Sequence, residues 1–87
     1  MALTAEELST IAALAGQAPN ARAAAAAIRS TVPGLRASVA DPFDLRDEHP
    51  ALLAGAFSVF LMACDGHCWA VTDDPARASA VVLTDQS

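Results

Sequence analysis

Apolar positions change their spacing along this chain, from a helical period near the N-terminus to alternation further on. Leu8, Ile11, Ala12 and Ala15 recur one helical turn apart. Thr4 stands three residues before Glu7, a capping box in which each side chain accepts from the other residue's backbone N–H. Gly16 fits the stop of this first helix. A second helix opens at Pro19 or Asn20 and runs through "ARAAAAAIRST". Its apolar face is thin: Ala21, Ala24, Ala25 and Ile28. Alanine favours the helix and lets its backbone lie close to whatever it packs on. Val32 precedes Pro33 and so avoids the α region, which ends the helix before Gly34.

From there the period is two. Leu35, Ala37 and Val39 alternate with Arg36 and Ser38, as in a half-buried strand. "DPFDLRDEHP" has no apolar period and reads as a loop. "AFSVFLMA" and "HCWAVT" read as two strands joined at Asp65-Gly66, a pair suited to a type I′ turn. "DDPARA" reads as a turn or one short helical turn, and "SAVVLT" as a last strand. The order predicts one α+β domain over residues 1–87, with two N-terminal helices packed on one face of a four-stranded, mainly antiparallel sheet.

The central hairpin carries the candidate chemistry. With Asp65 and Gly66 as loop residues, Cys64 would pair with His67, Ala63 with Cys68, and Met62 with Trp69. One face then holds Phe60, Met62, Cys64, His67, Trp69 and Val71; the other holds Phe57, Val59, Leu61, Ala63, Cys68, Ala70 and Thr72. Cys64 and Cys68 point opposite ways, which argues against a shared disulfide or metal ion. Cys64 beside His67 could be a ligand pair or an activated thiolate, but more often such a pair is the exposed end of a hairpin. The acidic segment of Asp41, Asp44, Asp47, Glu48 and His49 lacks the mid-loop glycine of an EF-hand and reads as solvated.

Both hairpin faces are apolar, whereas a sheet covered on one side alternates cleanly with polar residues. Alanine-rich helices suit the side with Phe57, Val59, Leu61 and Ala63. Phe60, Met62, Trp69 and Val71 are left for a protein partner, a second copy of the chain, or the 41–54 segment to cover.

Composition narrows the function classes. The chain has 87 residues, net charge −5 and five arginines spread along it, with no lysine. No basic cluster exists to bind nucleic acid or an anionic membrane. Lysine Schiff-base chemistry and a P-loop are excluded. No Ser-His-Asp pattern, HExxH motif or glycine-rich phosphate loop is present. The longest apolar run, "ALLAGAFSVFLMAC", is too short for a membrane span, and the acidic start "MALTAEELST" is unlike a signal peptide. A cytoplasmic location with reduced thiols is therefore expected. A chain this short buries roughly 60% of its unfolded surface, so a partner subunit would add stability.

"VPGLRASVADPFD" followed by "FSVFLMACDGHCWAVTDDPARASAVVL" resembles a small bacterial family encoded among nitrogen-fixation genes. The resemblance covers residues 32–84 and is carried by Gly66, His67, Cys68, Thr72, Asp74, Pro75 and Ala78. It implies a context, accessory to nitrogenase synthesis or protection, and no reaction. It also keeps His67 and Cys68 in view as a functional pair. The expectation is a non-enzymatic interaction protein without a cofactor, homodimeric, acting through Phe60, Met62, Trp69 and Val71. The alternative is a metal or metallocluster handling protein using Cys64, His67 and Cys68, completed across a dimer.

Overall fold

The computed structural model describes residues 3–65 and 68–85. Helix α1 spans Ala5–Gln17 and α2 spans Ala21–Thr31. The strands are β1 (Arg36–Val39), β2 (Leu52–Ala54), β3 (Phe57–Asp65), β4 (Cys68–Thr72) and β5 (Ala80–Asp85). Single 3₁₀ turns lie at Pro42–Leu45 and Pro75–Arg77.

The helices start as their caps dictate. The Thr4 hydroxyl accepts from the Glu7 N–H at 3.1 Å, and the Glu7 carboxylate accepts from the Thr4 N–H at 2.9 Å. The Asn20 side chain accepts from the Ala23 N–H at 2.8 Å. Each cap satisfies a donor that the helix itself leaves orphaned. α2 ends at Val32, and the chain turns through Gly34 at φ +86°.

The sheet runs β1-β5-β3, and both β2 and β4 pair with the far edge of β3. β2 lies along its first residues and β4 along its last. β1 and β5 are parallel; every other pair is antiparallel. Two helices and a mainly antiparallel sheet are therefore present as expected, with five strands rather than four. The additional strand, β2, lies within the 41–54 segment that reads as loop from sequence. A two-residue hairpin joins it to β3, with Gly55 at φ +58° in the first loop position. That is the glycine a type II′ turn requires. A Cβ on Gly55 would sit 3.3 Å from the Gly16 Cα, so these two glycines let the end of α1 lie directly on the hairpin.

The core lies between helices and sheet. Ile11, Ala15, Ala24, Ala25 and Ile28 meet Phe57, Val59, Leu61, Val81 and Leu83, all buried. Val59 and Leu61 face the helices as expected, and the thin alanine face lets α2 pack close to β1. Ala63 is only half-buried, because β3 has run past the helices by then.

The hairpin register differs from the expected one. Cys64 lies opposite Trp69, Met62 opposite Val71, and Asp65 opposite Cys68. The expected turn at Asp65-Gly66 and the pairing of Cys64 with His67 are replaced by a register slid two residues along β4. Gly66 and His67 themselves lie outside the described residues. A one-residue slip would exchange the faces; a two-residue slip preserves them. Every described residue therefore keeps its predicted face, and the hydrophobic pattern is indifferent between the two registers.

Candidate functional site

The chain must travel from β1 at one edge of the sheet to β2 at the other. It does so along residues 40–51, which cross the face opposite the helices. Leu45 and Asp44 line a recess there together with Met62 and Val71. Phe60 is 4% exposed yet lies outside the helix-side core, on the strapped face. Of the four residues expected to form an external apolar surface, Phe60 is thus covered by its own chain. Met62 and Val71 are half-buried, and Trp69 is 45% exposed.

The strap covers Phe60 and leaves Trp69 open to solvent. β5 pairs with β3 only as far as Met62 opposite Ala80. Ala63–Asp65 and their β4 partners therefore project beyond the sheet as a two-stranded arm. No strand lies beyond β4 among the described residues, and Cys68, Trp69 and Ala70 are exposed. The β1 edge differs. The Arg29 Nη1 donates to the Ala37 carbonyl at 2.7 Å. Ala40 N–H bonds inward to Leu83, so by alternation the Ala37 carbonyl points outward, and Arg29 occupies the position an incoming strand would take.

Trp69 separates two recesses of opposite charge. On one side, a recess of about 480 Å³ has Met62, Ala80 and Val82 as apolar lining and Arg29 and Arg36 as its charged groups. The Arg36 guanidinium lies 5.9 Å from the Trp69 ring centroid, within cation–π range. Among the described residues no carboxylate lines this recess. On the other side, Trp69, Met62 and Val71 line a recess with Asp44, Asp47 and Glu48, with no cation in the lining among the described residues. A guanidinium pair over an apolar floor suits a carboxylate attached to an apolar body. The acidic side suits the reverse.

The cysteines do not form a joint site. No disulfide joins Cys64 and Cys68, both exposed, and β-alternation sends them to opposite faces. Among the described residues no three His, Cys, Asp or Glu side chains are placed to share a metal ion. His67, the remaining ligand of the metal reading, lies outside those residues. His49 is exposed, in a shallow recess with Asp47, Glu48 and Asp73.

Sequence reasoning found Trp69 and Met62 but not Arg29, Arg36 or the role of the strap. The alternation in β1 already placed Arg36 and Ser38 on the face away from the helices, which is the face of Trp69. The pairing of β1 with β5, which brings Arg36 alongside Ala80, is a long-range contact with no local signal.

No described helix is long and apolar enough to cross a membrane. No family model matches the chain, and neither does any curated protein or solved structure with which it was compared.

Proposed function

We propose that this is a small non-enzymatic interaction protein, acting through the face around Trp69, in the nitrogen-fixation context that the resemblance of residues 32–84 implies. One observation carries the reading. The single tryptophan of the chain stands 45% exposed on a projecting arm, next to the half-buried Met62–Val71 pair, on an edge strand whose outer side has no neighbour among the described residues. Tryptophan and methionine are enriched at the centres of protein interfaces. An exposed strand edge is a template for association unless blocked, and among the described residues the blocking side chain, Arg29, lies at the β1 edge. The open recesses offer charge and apolar contact.

Native mass spectrometry tests this on protein purified from its own host during nitrogen-limited growth, as wild type and as Trp69→Ser. The expected result is an additional protein mass on the wild type, of a second copy or of another chain, that the variant loses. A bare monomer in both preparations would contradict the reading.

A further inference from the structure

The strap carries a feature that the Trp69 face leaves unused. Phe43 is 66% exposed at the tip of the Pro42–Leu45 turn, the most exposed large apolar side chain among the described residues. It is held firmly. The Asp41 carboxylate accepts from its N–H at 2.9 Å, the Arg46 Nη1 donates to its carbonyl at 2.7 Å, and the Arg46 guanidinium lies 3.9 Å from its ring centroid. A fixed aromatic loses little conformational freedom on docking, which is the property of an interface anchor. Asp44 flanks it directly in sequence. The turn therefore presents an apolar ring, covered by Arg46 on one side, next in sequence to a carboxylate.

That is the chemistry the arginine recess lacks. The recess has an apolar floor, Trp69 as a wall, and two guanidinium groups, with no carboxylate in the lining among the described residues. Both features belong to the same sheet face, and the two recesses share only Met62 and Trp69. A two-fold axis lying in that face at Trp69 exchanges its basic and acidic sides. It sets each turn over the other copy's recess, so both contacts form twice and the assembly closes.

We propose that the Phe43 turn of one copy seats in the Arg36–Trp69 recess of a second copy, reciprocally, with Asp44 against Arg36. This rests on the reading of the Trp69 face as an interaction surface and specifies its occupant. The charge pattern favours a second copy. Two chains of net charge −5 repel at long range, so their association needs local opposite charges at the contact, and this face supplies both signs on either side of one tryptophan.

The test is sedimentation velocity over a concentration series on wild type, Arg36→Glu and Asp44→Arg. Both positions are exposed, so both variants are expected to fold. The wild type is expected to form a dimer and no larger species. Each variant alone puts like charges together at both contacts and is expected to weaken dimerisation at least ~30-fold. Mixing the two variants restores opposite charges at both contacts, so a heterodimer of near wild-type affinity is expected. A wild type that stays monomeric at every concentration overturns the second-copy proposal, while leaving the Trp69 face available to another protein in the host experiment. A dimer that persists unchanged in both variants, a mixture that fails to associate, or growth beyond two copies would each overturn it as well.

Discussion

The two faces of the sheet are covered by different means, and the means match different roles. On one side two helices lay Ile11, Ala24, Ala25 and Ile28 over Phe57, Val59, Leu61, Val81 and Leu83, and every one of these is buried. On the other side a single strap, residues 40–51, shelters Phe60 and leaves Trp69 exposed beside it. The first face is continuous and apolar. The second mixes apolar floor with arginine and carboxylate walls, and it ends on an arm that outruns the sheet. A small domain has little core to spare, so stability concentrates where helices and sheet meet. What is left on the strapped side is surface with chemistry on it.

Adjacent residues on β3 give the sharpest way to break this comparison. Leu61 points to the helices and is 1% exposed; Met62 points to the strap and is half-buried. Leu61→Ala is expected to cost about 2–5 kcal/mol in urea unfolding. Met62→Ala is expected to cost roughly half of that or less, because truncating a half-buried side chain removes less buried surface. Equal costs would mean the two faces are equally structural.

A smaller effect is expected at the contact between α1 and the β2–β3 hairpin. Gly55→Ala meets both a left-handed φ of +58° and the Gly16 Cα at 3.3 Å. A loss of about 1–2 kcal/mol is expected from the backbone term alone. A neutral result would show that the helix side tolerates change as freely as the strap side.

The smallest effect is expected on the arm. Cys64 and Cys68 are exposed on opposite faces. Cys64→Ser should leave stability within about 0.5 kcal/mol of wild type. Unfolding of this variant, or loss of a metal from protein prepared anaerobically, would restore the metal reading of Cys64, His67 and Cys68.

Much of the fold was legible because local rules agree with it. Thr4 and Glu7 announce α1, Asn20 caps α2, Val32-Pro33 ends it, and alternation assigns Leu61 and Met62 to opposite faces. β2 escaped notice because three residues are too few to show a period; the glycine of its turn, Gly55, was the available signal. The hairpin register escaped because a two-residue slip leaves every face unchanged, so only turn chemistry could choose. The candidate site was legible in part. Trp69 stood out as an aromatic on a face without a helix. Arg36 reaches it through the parallel pairing of β1 and β5, strands separated by most of the sheet-forming sequence, and Arg29 reaches it from α2 at the β1 edge. No local pattern encodes that approach.

Hydroxyl-radical footprinting of Trp69 tests the central claim most directly, comparing the assembly isolated from the host with the purified chain at high dilution. Trp69 is the only tryptophan, so its oxidation is read without ambiguity. If the strapped face is the working surface, Trp69 is oxidised readily in the dilute chain and is strongly protected in the assembly. Equal oxidation in both would contradict the account and place any partner elsewhere on the molecule.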